Sequence, residues 1–217
     1  MKKKCIALLL AALMMIPCAY AYSEQAFDSA ETLYTLGLFG GTGVDADGQP
    51  IYDLDRAPTR NQAVIMLVRL LGKEEEALAG EWTLPFTDVA PESTSYAYIG
   101  YAYAHNLTSG TSATTYSGED LIRSNQFLTF VLRALGYTSG TDFKVSTAAA
   151  FADSIGLTHG EYADSSATFT RGDVALICAN ALELTPKGSE LSLREILTPG
   201  KAVEVEEPLV LDGMLIE

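Results

Sequence analysis

The feature that most constrains the fold of this chain is an internal repeat of a short loop that contains glycine. The segments 37–41, 106–110 and 156–160 align without a gap, and each places Leu three residues before Gly. Each follows a stretch with apolar residues at helical spacing, such as Ala30 and Leu33 in the first. Gly or Asn at a helix end tolerates the left-handed conformation that terminates the helix. The repeat therefore predicts three helices that end in the same way.

A capped helix is predicted after each loop, because the residues that would begin it also repeat. Thr59 is followed three residues later by Gln62, and Thr170 by Asp173, in the manner of a capping box. The segment 122–126 aligns with both of these helix starts. Apolar residues at three- and four-residue spacing follow, so one face of each helix must be buried. A helix pair of this size cannot bury both apolar faces alone, so we expect three units to share one core.

The N-terminus has the pattern of a secretory signal peptide. Three lysines at 2–4 precede an unbroken apolar stretch at 6–16, and small residues at 19 and 21 supply a cleavage pattern. The apolar stretch is too short to span a bilayer, so we expect no membrane span after cleavage. A lipoprotein would use Cys18 instead, but the proline directly before Cys18 fits such a site poorly.

The charge of the chain restricts the ligands that it can hold. It has 14 Lys and Arg against 28 Asp and Glu, and its formal net charge is −14. Loss of the three signal-peptide lysines would leave 11 basic side chains. Nucleic acid and anionic membrane surfaces require clustered Lys and Arg, so we expect neither as a partner. Any anionic ligand must instead be held by a few well-placed cations.

The residues typical of reactive or metal sites are few. Cys178 would be the only cysteine after cleavage, and it lies in the apolar run 174–179, so we interpret it as a small buried hydrophobe. His105 and His159 have no partner at zinc-ligand spacing. Asp-Ala-Asp-Gly at 45–48 lacks the later ligands of an EF-hand, so we interpret it as a turn, with a loose calcium site as the alternative. We expect no catalytic residue, no metal ligand and no cofactor.

Taken in order, these segments resemble the S-layer homology family. Phe-Thr-Asp-Val at 86–89 is similar to the Phe-x-Asp-Val that opens the family's repeat, and the loops are similar to its Gly-Ile-x-x-Gly, with Leu for Ile. Thr-Arg at 59–60 and 170–171 resembles the family's helix start. The resemblance covers about residues 22–185. The middle unit departs from the pattern, because Ser124 stands in place of the motif arginine.

The resemblance implies a mainly α fold, with three helix–loop–helix repeats in a pseudo-threefold bundle. Apolar runs around the Asp-Gly pair at 212–213 add a short β-hairpin-like tail at the C-terminus. This tail would dock onto the bundle or present an edge to a protein partner. The expected boundaries are 1–21 for the signal peptide, 22–83 and 84–146 for the first two repeats with their linkers, 147–185 for the third repeat and 186–217 for the tail.

The resemblance also implies a secreted protein at the cell wall or cell surface. Its ligand would be a cell-wall polysaccharide or another peptidoglycan-linked polymer, which in the family is anionic and often carries a pyruvylated sugar. The degenerate middle motif leaves an alternative open: a structural, self-associating or partner-binding surface protein whose glycan binding is degenerate.

Arg60 and Arg171 are the main candidates for ligand binding. If Thr59 and Thr170 are caps, each arginine occupies the first helical position, where a cation is unfavourable by roughly 0.3–1 kcal/mol. One hypothesis is that each arginine and the free N–H groups of its helix jointly hold an anion, because the guanidinium fork suits a carboxylate or phosphate. The other hypothesis is that each arginine pairs with a carboxylate of a neighbouring repeat. The candidate carboxylates are Asp53, Asp55, Asp88 and Asp164.

The other candidate ligand-binding residues belong to the repeated loops and to the segment between the first two units. Trp82 would either stack on a sugar ring or anchor the packing of the linker. The remaining candidates are Asp88, Gly41, Gly110 and Gly160.

Overall fold

The computed structural model describes residues 24–198, and this part of the chain is mainly helical, as predicted. The predicted signal peptide and the predicted hairpin near 212–213 lie outside the described residues. No helix between residues 24 and 198 is both long and apolar enough to cross a membrane. The helices are α1 (24–35), α2 (Arg60–Leu70), α3 (Glu74–Ala79), α4 (Tyr96–Ala104), α5 (Ser124–Ala134), α6 (Ala148–Ser154), α7 (Arg171–Glu183) and α8 (Leu193–Leu197).

Helices α1, α4 and α6 end in the way that the loop repeat predicts. Gly37, Asn106 and Gly156 follow them with φ values of 75°, 59° and 77°, which lie in the left-handed region. The N–H of Leu38 then donates to the carbonyl of Leu33 at 2.8 Å, and the corresponding bonds after α4 and α6 are 2.8 and 2.9 Å long. These bonds satisfy carbonyls that a helix end would otherwise leave free. The predicted helix ends are confirmed.

The predicted helix starts are also confirmed. The Thr59 hydroxyl accepts from the N–H of Gln62 at 3.3 Å, and the Gln62 side chain accepts from the N–H of Thr59 at 3.0 Å. Thr170 and Asp173 form the same reciprocal pair at the start of α7. Helix α5 begins after Arg123, so the residue that replaces the motif arginine occupies its first position.

The helices share one hydrophobic core. Helix α2 packs against α4 and α5, and α5 packs against α6 and α7. Leu67, Phe127 and Ile177 are completely buried on α2, α5 and α7. Cys178 is 1% exposed, and burial raises the pKa of its thiol, which confirms its interpretation as a buried hydrophobe. The pseudo-threefold arrangement of three repeats stays a prediction.

Two segments between the main helices have structure of their own. The end of the first predicted repeat and linker, 22–83, contains helix α3, which packs against α4. In the loop after α1, strand β1 (Gly43–Val44) pairs antiparallel with β2 (Pro50–Ile51). The Asp45 carboxylate accepts from the N–H groups of Asp47 and Gln49, both at 2.9 Å, so the interpretation of this segment as a turn is confirmed.

Replacement of Gly156 tests the left-handed helix end. An added Cβ would meet no atom within 4 Å, so Gly156→Ala should cost only the backbone penalty of about 1–2 kcal/mol in the free energy of unfolding. Gly43→Ala is the matched control, because Gly43 also lies in open space but does not have a positive φ. Chemical denaturation of both variants measures the difference, and equal stability of the two would contradict the assigned role.

Candidate functional site

The start of α2 is joined to the loop that precedes α5. The N–H of Arg60 donates to the carbonyl of Asp120, and the N–H of Asn61 to the carbonyl of Gly118, each at 2.9 Å. In the other direction, the N–H of Ile122 donates to a carbonyl just before α2 at 3.1 Å. The first N–H groups of a helix have no partner within the helix, so the loop satisfies them here.

The start of α7 is joined in the same way to the loop that precedes α2. The N–H of Arg171 donates to the carbonyl of Arg56 at 2.9 Å, and that of Gly172 to the carbonyl of Leu54 at 2.8 Å. These N–H groups are therefore not free to hold an anion at either helix, because carbonyls of a neighbouring loop accept from them. Anion binding by the arginine side chains stays a prediction.

The guanidinium of Arg171 is buried among backbone carbonyls and is 6% exposed. Its Nε donates to the carbonyl of Tyr52 at 2.7 Å and its Nη2 to that of Gly40 at 3.1 Å. The Phe39 ring lies 5.2 Å from the guanidinium carbon. Burial lowers the pKa of Arg171 and outweighs the opposing attraction of Asp53. Arg171 therefore holds the loop after α1 in place.

Arg60 makes the corresponding contacts with the loop after α4, but less completely. Its Nη2 donates to the carbonyl of Ser109 at 2.7 Å and to the hydroxyl of Thr108 at 3.4 Å. The rings of Tyr116 and Phe130 lie 4.8 and 5.0 Å from the guanidinium carbon. The Nε of Arg60 is buried without a hydrogen-bond partner among the described residues.

The second hypothesis for the two arginines, an ion pair with a carboxylate, is wrong. Between residues 24 and 198, no salt bridge joins Arg60 or Arg171 to an acidic side chain. Carbonyl oxygens bond both guanidinium groups without neutralising them. The positive charge of each arginine therefore stays available to its surroundings.

Asp88 organises the loop between α4 and α5. Its carboxylate accepts from the N–H groups of Tyr116 and Ser117, both at 2.8 Å. Desolvation acts to raise the pKa of Asp88, but these two hydrogen bonds outweigh it and hold the pKa below its usual value. Asp88 thus stabilises the loop that faces Arg60.

The three candidate glycines are required by the local backbone. A Cβ on Gly41 would lie 3.0 Å from the carbonyl oxygen of Ile51, and one on Gly110 would lie 2.5 Å from the Phe86 ring. Gly160 has a φ of 99°. These positions need glycine whether or not a ligand binds nearby.

Trp82 anchors the packing of its segment. Its Nε1 donates to the carbonyl of Ala77 at 2.8 Å, and its ring packs edge-on against Tyr101 and His105. Gly100 makes room for it, because a Cβ there would collide with the Trp82 side chain. The packing interpretation of Trp82 is confirmed.

The described residues that best fit an anion site surround Arg60. A cleft of about 370 Å³ is lined by Arg60 and Arg123, and an adjoining space of about 130 Å³ is lined by Arg60, Gly110 and Arg133. We call these two spaces together the arginine cleft. Its polar side chains are Arg60, Ser109, Thr111, Ser117, Asp120, Arg123, Gln126, Thr129 and Arg133.

Positive charge is concentrated in the arginine cleft. Burial lowers the pKa of Arg133, and the nearby positive charge of Arg60 lowers it further. Asp120 is the one carboxylate in the described lining, against three guanidinium groups. Because the chain as a whole has a net charge of −14, this local excess of arginine stands out. A bound carboxylate or phosphate would relieve the repulsion and accept paired hydrogen bonds.

Sequence reasoning missed Arg123 and Arg133. Arg123 directly precedes Ser124, so the shifted position of the arginine within the middle motif was a usable signal. Arg133 lies 73 residues after Arg60 and is brought to it only by the packing of α2 against α5. No local pattern could have joined these two residues.

Comparison with known families identifies the class of domain that contains this loop. Residues 85–123 match the S-layer homology domain. The matched segment includes Asp88 and Gly110 and ends at Arg123, so it supplies most of one wall of the arginine cleft. The match confirms one S-layer homology unit, and the other two predicted repeats stay a prediction.

Three curated relatives are similar to larger parts of the chain. A cell surface protein of Thermoanaerobacter kivui is 33% identical over 153 residues, which are 70% of this chain and 19% of that protein. An endoglucanase of Bacillus sp. (strain KSM-635) is 33% identical over 123 residues, 51% of this chain and 13% of the enzyme. The middle cell wall protein of Brevibacillus brevis is 26% identical over 137 residues, 58% of this chain and 12% of that protein. The chain thus spans only 12 to 19% of the length of these relatives.

Removal of the Arg171 side chain should destabilise the protein. Arg171→Ala leaves the buried carbonyl of Tyr52 and the partly buried carbonyl of Gly40 without their charged donor, so we expect a loss of about 3 kcal/mol in the free energy of unfolding. Arg56→Ala, at an exposed arginine, should change it by less than about 0.5 kcal/mol. Urea denaturation monitored by circular dichroism measures both values. A loss below about 1 kcal/mol for Arg171→Ala would contradict its role in holding the loop.

The acid sensitivity of the loop tests the role of Asp88. The folded-state pKa of Asp88 lies below its unfolded value of about 3.9. The carboxylate therefore makes its full contribution to the free energy of unfolding above about pH 3.9. The contribution is lost as pH falls through the folded pKa. We therefore expect Asp88→Asn to lower the Tm at neutral pH and to flatten its decline below about pH 4. Asp47→Asn, at an exposed turn, is the control, and a wild-type acid profile in Asp88→Asn would contradict the assignment.

Proposed function

We propose that this is a secreted protein that binds an anionic cell-wall polymer non-covalently through units of the S-layer homology type. The matched domain and the relatives named as a cell surface protein and a middle cell wall protein support a location at the cell wall or cell surface. The binding site in this proposal is the arginine cleft.

The observation that carries the proposal is the grouping of Arg60, Arg123 and Arg133 around one cleft. An acidic chain repels polyanions at long range, so binding requires local cations whose charge is not already neutralised. None of these three arginines forms a salt bridge with a residue between 24 and 198. The guanidinium groups of Arg123 and Arg133 can each present two donors to a carboxylate or phosphate, and Arg60 adds its positive charge.

The size and polarity of the arginine cleft support a sugar that carries an acid group. The larger space, of about 370 Å³, falls at the lower end of the ~300–1,000 Å³ range of ligand pockets. Thr111, Ser117 and Gln126 offer hydroxyl and amide groups to sugar hydroxyls beside the arginines. A pyruvylated sugar has the required combination of a ring, hydroxyls and a carboxylate.

We also propose that the α1–α2, α4–α5 and α6–α7 pairs are three related units in a pseudo-threefold bundle. Their matching helix ends, and the matching loop contacts of Arg60 and Arg171, support this arrangement. The units are not equivalent as binding sites. Arg171 donates to Tyr52, Gly40 and Met66, so of the two arginines at helix starts we assign anion binding to Arg60 and the arginine cleft.

A binding role is favoured over a catalytic one. The similarity to the endoglucanase covers 13% of that enzyme and leaves most of its length outside the comparison. The activity of the enzyme is therefore not carried over to this chain.

Co-sedimentation with purified cell-wall sacculi tests the proposal. We expect Arg123→Ala and Arg133→Ala each to weaken retention by about tenfold or more, because each removes a charge-assisted contact worth roughly 1.5–3 kcal/mol, and about 1.4 kcal/mol is tenfold. The double variant should remain in the supernatant. Both residues are better probes than Arg60, since Arg60 is buried and its loss would also disturb the loop after α4.

The controls separate charge, geometry and polymer. Arg56→Ala removes an exposed arginine outside the cleft and should sediment like the wild type. Arg123→Lys keeps the charge but loses the fork, and we expect intermediate retention. Sacculi stripped of their secondary polymer should not retain the wild type. Undiminished retention of the double variant would show that the arginine cleft is not the binding site.

A further inference from the structure

A second cleft, of about 190 Å³, lies at the start of α5. Ser124 lines it from the first position of that helix, and the loop residues 161–168 line the opposite side. Phe169 and Asp173, at the start of α7, complete the lining. We call this space the Ser124 cleft.

The two clefts occupy corresponding places in the fold. Each is lined by the first residue of one helix, which is Arg60 in α2 and Ser124 in α5. Each is also lined by the third residue of the next capped helix, which is Gln126 in α5 and Asp173 in α7. We call the contact between each helix start and the loop opposite it a junction. Serine is far shorter than arginine, so the side chain at the start of α5 fills less of its junction than Arg60 fills at the start of α2.

The junction at Ser124 is less closed than the other two. The first N–H groups of α2 and α7 donate to carbonyls of the loop opposite, whereas among the described residues no hydrogen bond joins the Ser124 N–H to residues 161–168. Ser124 is 3% exposed, yet its Oγ has no hydrogen-bond partner within residues 24–198. A buried hydroxyl without a partner is rare, and a bound ligand would explain it.

The charge of the Ser124 cleft is opposite to that of the arginine cleft. The carboxylates of Glu161, Asp164 and Asp173 line it, and its described lining contains no Lys or Arg. Glu161 and Asp164 form no salt bridge with any residue between 24 and 198. Such a site repels a carboxylate or phosphate and attracts an ammonium group.

We propose that the Ser124 cleft binds a sugar that carries a free amino group. Its ammonium faces Glu161 and Asp164, and a ring hydroxyl bonds to the Oγ of Ser124. The volume is below the ~300–1,000 Å³ of pockets that hold drug-sized ligands, which fits a single sugar ring. The rings of Tyr162 and Phe169 supply apolar surface for the face of the sugar. This proposal does not depend on anion binding in the arginine cleft.

Titration of the isotopically labelled, full exported chain with glucosamine at pH 6 tests the proposal by NMR. We expect saturable amide shifts at Ser124, Asp164 and Thr168, with a millimolar dissociation constant. N-acetylglucosamine is the matched neutral probe, and we expect it to bind about tenfold more weakly, because it lacks the ammonium. Equal affinities of the two sugars, or shifts confined to the arginine cleft, would overturn the proposal.

Three variants locate the site. Asp164→Asn and Glu161→Gln remove one charge each and should weaken glucosamine binding about three- to tenfold. Ser124→Arg introduces the side chain found at the corresponding positions 60 and 171, so it should fill the cleft and abolish binding. Both amide variants alter exposed side chains and decide the question even if Ser124→Arg fails to fold. Asp47→Asn, a charge change at a remote turn, should bind like the wild type, and unchanged affinity in both amide variants would refute the site.

Discussion

The structure depends on a buried cation that is bonded by backbone carbonyls rather than by a carboxylate. Arg60 and Arg171 each cross from the first turn of a helix to the loop of another helix pair and donate to its carbonyl oxygens. A buried guanidinium is costly unless its donors are satisfied, so these bonds fix the relative positions of helix and loop. The arginine cleft lies beside the first of these contacts, and the Ser124 cleft lies at the start of α5, where Ser124 takes the place of arginine.

This kind of bonding leaves uncompensated positive charge at one cleft of an acidic protein, as the proposed anion site requires. A carboxylate partner would have neutralised Arg60, whereas the carbonyl of Ser109 leaves its charge intact. Arg123 and Arg133 add to that charge, and the burial of Arg60 limits the screening of its own charge. At the junction of Ser124 no cation is present in the described lining, and the carboxylate of Asp164 determines the sign of the local field. One architecture thus carries clefts of opposite charge.

Sequence reasoning was reliable where the interactions are local. The left-handed helix end at Gly156 and the capping box of Thr170 involve residues within a few positions of each other. The local sequence pattern is therefore sufficient to predict both. Sequence reasoning did not identify the backbone carbonyls that bond Arg60 and Arg171, since it considered only an external anion or an acidic side chain. Backbone carbonyls of a distant loop leave no signature in residue type, and for that reason this third possibility was not visible.

The sequence by itself determined the mainly helical fold, the starts and ends of the capped helices, and the substitution of the motif arginine by Ser124. The tertiary structure alone decided which loop meets which helix start, and therefore that Arg133 joins Arg60 while Glu161 and Asp164 join Ser124. The physical reason is range. Helix caps arise from hydrogen bonds between near neighbours in the chain, whereas the charge of a cleft is the sum over side chains that only the packing of the shared core brings together.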